Sequence, residues 1–146
     1  MLKSNVKVVI LTNIEQEYFA VRSHLKKLKT VTDHSNETSY EIGRFPIRFC
    51  QNIDIAILKM GSGNSVAASY AERALSFFQP KLILLVGTAG AVRKIKRVGD
   101  IVIGVHAYDI QSGRDKDEYF AANPKMSYSS KFLINIAEQV MRNEKW

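Results

Sequence analysis

One cysteine, Cys50, stands in 146 residues, so no disulfide can form within the chain and a lone thiol suits a reducing compartment. Its place in the apolar segment Ile47-Arg48-Phe49-Cys50 gives it a packing role. Long apolar runs are missing as well: the longest, Leu82 to Val86, falls far short of the ~20 residues a bilayer span requires. The first residues hold no apolar signal-peptide core before a small-residue cleavage site, so the expected setting is cytoplasmic, without a membrane partner. His24, His34 and His106 are scattered without ligand spacing, and no metal is expected. Gly61-Ser62-Gly63 lacks the third glycine of the dinucleotide fingerprint, since position 66 is Val66, and no glycine-lysine-serine/threonine phosphate loop occurs. No cofactor is expected. No repeat and no shift of composition marks a boundary, so residues 1–146 read as a single domain.

What is present is an ordinary globular composition, 46% apolar and 24% charged. The net charge of +7 raises the question of nucleic acid, because basic domains gain affinity by releasing counterions from phosphates. The distribution argues against it. Lys26, Lys27 and Lys29 are placed at the close of a helix, where cations complement the dipole, and Arg93, Lys94, Lys96 and Arg97 in a loop. No aromatic residues interleave with either cluster as stacking platforms. A solvated surface is the preferred reading.

Along the chain, the β-branched run Val6 to Leu11 ends at Thr12-Asn13, two good helix N-caps, with Glu15 and Gln16 at capping-box spacing from them. Ile14, Tyr18, Val21, Leu25 and Leu28 recur at steps of four and three, which predicts a helix through about Lys29. Residues 30–39 read as turn. Three short strands are expected at Tyr40 to Arg44, Ile47 to Gln51 and Ile53 to Met60. A second helix from about Ser65 to Phe78 carries Ala67, Ala71, Ala74 and Phe78 on one stripe and stops at Pro80, before a strand at 82–87. Val98-Gly99-Asp100 introduces a strand from Ile101 to Val105. A polar stretch, Gln111 to Asn123, holds Asp115, Asp117 and Glu118, which with Asp109 read as solvated loop charge. A last helix from about Ser129 to Asn143 turns Leu133, Ile136, Ala137 and Val140 inward. The fold class is α/β, a mixed central sheet flanked by helices.

Two glycine turns follow two apolar runs: Gly61-Ser62-Gly63 after the strand ending at Met60, and Gly87-Thr88-Ala89-Gly90 after the run to Val86. In open α/β sheets ligands bind beyond the carboxyl ends of strands, where glycine lets the backbone approach them. Each turn is equally well explained as a tight connection needing φ > 0. Glu15 and Glu17 can likewise serve only the helix dipole, and Asp100, readable as a catalytic acid, is better read as a cap or turn before its strand.

In order and spacing, Thr12-Asn13-Ile14-Glu15-Gln16-Glu17, Lys59-Met60-Gly61-Ser62-Gly63-Asn64-Ser65-Val66-Ala67-Ala68, Pro80, Val86-Gly87-Thr88-Ala89-Gly90 and Val98-Gly99-Asp100-Ile101-Val102 resemble the nucleoside phosphorylase and nucleosidase family, which includes methylthioadenosine/S-adenosylhomocysteine nucleosidases. The segment Tyr18 to Leu25 looks like a branch often linked to other modules in bacterial proteins. The resemblance implies a nucleoside phosphorylase-like fold and cleavage of a purine nucleoside at its glycosidic bond. It implies that Glu17 is catalytic, orienting and activating water, if burial lifts its pKa toward neutrality. Thr88, Ala89 and Gly90 would contact sugar and base, and Ser62 and Gly63 would line the ribose and nucleophile end.

The family's domain is longer, and its later portion supplies a ribose-binding Glu and the acid that protonates the leaving base; no segment here matches either. The resemblance therefore implies the N-terminal portion of a truncated domain, weak or inactive by itself, whose incomplete sheet exposes apolar surface that calls for a partner chain, with a homo-oligomer expected, or for some non-native arrangement. Phosphorylases carry an arginine just ahead of the second glycine turn, where this chain has Leu85-Val86, and two carboxylates at the first turn would repel phosphate. Arg22 or Arg44 could compensate. Hydrolysis is thus the expected reaction; a nucleoside phosphorylase, a non-catalytic nucleoside-binding or interaction module, and an unrelated nucleotide-binding domain are the alternatives.

Overall fold

Val8 and Ile10 leave the first strand on one face, Val9 and Leu11 on the other, and each set is covered by its own helix. The computed structural model describes residues 5–47, 51–91, 97–109, 113–116 and 119–143. They fall into two compact units, Met1–Gly90 and Ala91–Trp146.

The first unit runs β1 (Val6–Thr12), α1 (Glu15–Ser23), β2 (Lys26–Asp33), β3 (Thr38–Phe45), β4 (Ile53–Lys59), α2 (Asn64–Phe78) and β5 (Leu82–Leu85). Its sheet has the order β2-β3-β4-β1-β5, with β4, β1 and β5 parallel and β2, β3 and β4 antiparallel. This is the mixed sheet flanked by helices that the sequence implies. On one face Val9, Leu11, Ala56 and Leu58 pack under Ala74 and Phe78 of α2, with Ala71 partly buried beside them. Tyr40 fills the space between, its ring 4.8 Å from Phe78 and 6.0 Å from Phe77. On the other face Ile55 and Ile57 meet Tyr18 and Val21 of α1. Parallel strands need cover on both sides, and their continuous apolar sequence reflects it. The stop of α2 adds a second device to Pro80: Gln79 takes a left-handed φ of 48°.

Several expectations are corrected. The first helix ends at Ser23, and Lys26, Lys27 and Lys29 lie on strand β2. Leu25 and Leu28 satisfy helical spacing equally well, but both pack against Gly43 of β3, where a Cβ would stand 2.6 Å from Leu25 Cβ. The three lysines are exposed on the edge strand, where charge discourages pairing with other chains. The turn expected over 30–39 shrinks accordingly, since β2 runs to Asp33 and β3 starts at Thr38. Of the strand expected at Ile47 to Gln51, residues 48–50, including Cys50, lie outside the described residues, and Ile47 and Gln51 belong to no strand.

In the second unit β6 (His106–Asp109) pairs antiparallel with β9 (Lys125–Tyr128), and β7 (Gly113–Lys116) with β8 (Tyr119–Ala122), before helix α3 (Lys131–Arg142). Ile101 to Val105 forms no strand, because no described neighbour offers it a ladder; the strand starts one residue later, at His106. Asp109 and Asp115 lie in β6 and β7, not in a loop, whereas Gln111, Asp117 and Glu118, like Arg93, Lys94 and Lys96, are outside the described residues. The helix carries Leu133, Ile134 and Ala137 only half-buried, while Ile136 and Val140, expected inward, are exposed. Among the described residues no helix is long and apolar enough to cross a membrane.

Candidate functional site

Three parallel strands end together at Thr12, Lys59 and Leu85, and the chain leaves all three at one edge of the sheet. The ladders run one step past the strands: Met60 N–H donates to the Thr12 carbonyl at 2.9 Å, and Val86 N–H to the Leu11 carbonyl at 3.0 Å. The Asn13 turn and both glycine turns are thereby held side by side. Gly61 and Gly63 have φ of 89° and 117°, a region in which a side chain would be strained, so the turn requires glycine whatever else it does.

The centre of this edge is Glu17. It is buried at 7% exposure, on the first turn of α1, and both carboxylate oxygens are fully engaged. Oε2 accepts the N–H groups of Asn13 at 2.8 Å and Ile14 at 3.1 Å; Oε1 accepts the Thr88 N–H at 2.7 Å and the Thr88 hydroxyl at 2.8 Å. The N-cap residue is Ile14, which has no capping oxygen, so Glu17 reaching back supplies the cap that Thr12 and Asn13 were expected to give. A Cβ on Gly87 would stand 3.2 Å from Oε1, so glycine there leaves room for the carboxylate.

Burial by itself pushes the Glu17 carboxyl up, but the Thr88 amide and hydroxyl and the Asn13 and Ile14 amides all favour the anion, and the pKa is lowered to about 2. The expectation of a pKa raised toward neutrality is therefore corrected. Four donors outweigh desolvation. Glu17 is a fixed negative charge at neutral pH.

Of the residues singled out from the sequence, Glu17 and Thr88 are brought into contact across 71 positions of chain. Ser62 and Gly63 sit exposed on the turn after β4, and Ala89 and Gly90 exposed beyond Thr88; among the described residues no hydrogen bond ties them to Glu17. Asp100 closes a turn, accepting the Arg97 N–H at 3.0 Å, with Gly99 at a φ of 100°.

Contacts not foreseen lie around this centre. Lys59 pairs with Glu15 across the mouth, joining the end of β4 to the start of α1. Behind it, Glu41 of β3 takes Arg22 through Nε at 2.6 Å and Nη2 at 3.0 Å, and the Tyr18 hydroxyl at 2.5 Å. Only the i, i+4 spacing of Tyr18 and Arg22 hinted that one partner could hold both.

The sequence matches the Phosphorylase superfamily over residues 7–145. The chain belongs to this superfamily. It is 30% identical over 95 residues to a 5'-methylthioadenosine/S-adenosylhomocysteine nucleosidase of Haemophilus influenzae, covering 62% of this chain and 42% of that one. It is 26% identical over 143 residues to an enzyme of the same name from Exiguobacterium, covering 94% and 58%. The chain thus spans about half the length of these curated relatives. Among solved structures, S-adenosylhomocysteine nucleosidase of Streptococcus pyogenes, in complex with 5-methylthiotubericidin, superposes over all of this chain and 61% of its own with a TM-score of 0.75 at 19% identity, which shows a shared fold.

Proposed function

We propose that this superfamily member carries the sugar and nucleophile side of a purine nucleosidase site, which hydrolyses the N-glycosidic bond of an adenosine-type nucleoside when the site is complete. The observation that carries the reading is Glu17, a buried carboxylate, ionised at neutral pH and clamped by Thr88 at the junction of three parallel strand ends. Glycosidic cleavage builds positive charge on the sugar, and a fixed anion stabilises that charge without any proton transfer. With its pKa near 2 Glu17 is a poor proton acceptor, so its work is to hold water by hydrogen bonding and to oppose the growing cation. A water can be held only if one of the four present donors yields its place. Thr88 is the candidate, because its hydroxyl can turn to the sugar and release Oε1. The exposed Ser62-Gly63 and Ala89-Gly90 backbones would border sugar and base.

Water is favoured over phosphate because the two arginines that could have balanced a dianion are engaged elsewhere. Arg22 is bidentate on Glu41, and Arg44 lies 3.5 Å from Asp54. Glu15 is neutralised by Lys59, so repulsion of phosphate rests on Glu17. The filled acceptor positions of Glu17 also favour a second reading, a nucleoside-binding module without chemistry. A cytoplasmic setting and assembly of like chains belong to the same proposal, the latter checked by sedimentation.

The test is to incubate the chain with methylthioadenosine, with and without phosphate, and to measure free adenine beside calorimetric binding. Because the chain matches no family motif for the leaving-group acid, the expected outcome is binding with slow or absent release, indifferent to phosphate. Whatever release occurs should fall at least ~100-fold in Glu17→Gln, the order expected on losing one electrostatic group of a cleavage site. A strict phosphate requirement overturns hydrolysis. Binding without any release, unchanged in Glu17→Gln, favours the binding module.

A further inference from the structure

Asn13 stands where the three loops meet. It follows Thr12, whose carbonyl accepts Met60 N–H, and its own N–H donates to Glu17 Oε2 at 2.8 Å. Among the described residues its side chain has no such engagement. Asn13 Oδ1 is shielded from solvent and receives no hydrogen bond among the described residues. The other shielded, unpartnered side-chain atom found among them is Tyr40 Oη, in the core beside Phe77 and Phe78.

Folded proteins rarely leave a shielded acceptor unmet, and at a ligand site such a group is commonly reserved for the ligand. Glu17 cannot relieve it, since a carboxylate only accepts and its four positions are filled. With no donor among the described residues, one that a ligand brings is the candidate partner. A nucleoside brings O–H donors on its sugar and N–H donors on its base. Asn13 adjoins the carboxylate proposed to face the sugar, which selects the hydroxyls.

We infer that Asn13 determines specificity in this site, its carboxamide oxygen taking a hydrogen bond from a hydroxyl of the bound sugar. The inference rests on the nucleoside reading above. In the free chain the carboxamide oxygen is shielded and no described residue donates to it. Rotation toward the sugar exchanges that state for a paired one, so the site favours ribosyl ligands over deoxyribosyl ones.

Calorimetry with adenosine, 2'-deoxyadenosine, 3'-deoxyadenosine and adenine tests this on the full chain and on Asn13→Ala. The wild type should prefer adenosine to one of the two deoxy analogues by about five- to tenfold, the worth of one neutral hydrogen bond. Asn13→Ala should erase that preference, leave adenine binding unchanged, and melt at or above the wild-type temperature, because the unmet acceptor is gone. A preference that survives in Asn13→Ala overturns the inference alone. So does a variant that melts lower with its preference intact, which marks a structural role. A wild type that binds no nucleoside overturns the nucleoside reading and the inference with it. If Asn13→Ala does not fold, Asn13→Leu, which keeps the volume and removes the acceptor, is read in the same way; failure of both to fold overturns the inference.

Discussion

The two units are built from similarly apolar sequence and end in opposite states. In Met1–Gly90 the strands β1 and β4 are covered on both faces, and among the described residues every buried side chain, from Val6 to Phe78, belongs to this unit. In Ala91–Trp146 no described residue is buried: Ile101, Val102, Tyr108, Tyr128, Phe132 and Met141 are all exposed. The difference is one of layers. A five-stranded sheet between helices closes its own core, whereas two-stranded ladders of four residues are marginal in water. Apolar content does not create a core unless a second surface closes on it.

The strongest way to break that comparison is to cut the same kind of group from both units. Ile57 is fully buried on β4, and Ile57→Ala should cost about 2–5 kcal/mol through lost transfer energy and the cavity left behind. Val140→Ala, on the open stripe of α3, should stay within about 0.5 kcal/mol. Urea unfolding of the two variants measures both. Comparable losses would mean that the second unit contributes a core of its own and that the contrast is false.

A smaller effect is expected where the first unit joins its core to its site. Glu17→Gln keeps the shape but replaces one carboxylate oxygen by a donor, so two of the four donors lose their acceptor and the other two a charged one, and it should cost at least about 1.5–3 kcal/mol at neutral pH. The pH dependence has a definite sign. The folded pKa of about 2 lies below the ordinary carboxyl value of 4.5, so the contribution is complete above about pH 4.5 and is lost as pH falls toward 2. Stability curves of the wild type and Glu17→Gln should therefore converge on acidification. Glu41, held down by Arg22, and Asp33, held down by the Ser35 hydroxyl, titrate in both proteins and cancel in the difference. Parallel curves down to pH 2 would mean that Glu17 is not ionised as the geometry requires.

The same contrast explains what the sequence made legible. The parallel strands were readable because burial on both faces writes itself as unbroken apolar runs, and the Gly61-Ser62-Gly63 turn because φ of 89° and 117° admits little else. The end of α1 was not readable, since Leu25 and Leu28 fit a helix or a strand, and the deciding contact, Gly43, lies in another strand. In the second unit, β-branched Ile101 to Val105 has the composition of a strand but no described partner, and composition cannot supply one. Glu17 and Thr88 could be associated only through resemblance to a family, as nothing local links residues 71 apart. The direction of the Glu17 pKa was beyond reach for the same reason: burial, the largest single cause, is outweighed only with the two donors of Thr88 added to those of Asn13 and Ile14.

The smallest expected effects lie on the surface, where the two units should behave alike. Lys59 and Glu15 pair at the mouth of the site with both side chains about half exposed, and Arg142 pairs with Glu138 along α3 at 3.4 Å. Exposed pairs gain little Coulomb energy and lose side-chain freedom, so Lys59→Ala and Arg142→Ala should each cost under about 1 kcal/mol and less in high salt. Thermal unfolding at low and high salt compares them. A loss in Lys59→Ala that is several times larger and survives high salt would mean that the pair braces α1 against β4 and so fixes Glu17 from outside. In that event Lys59 would join Thr88 among the groups that hold the carboxylate in place.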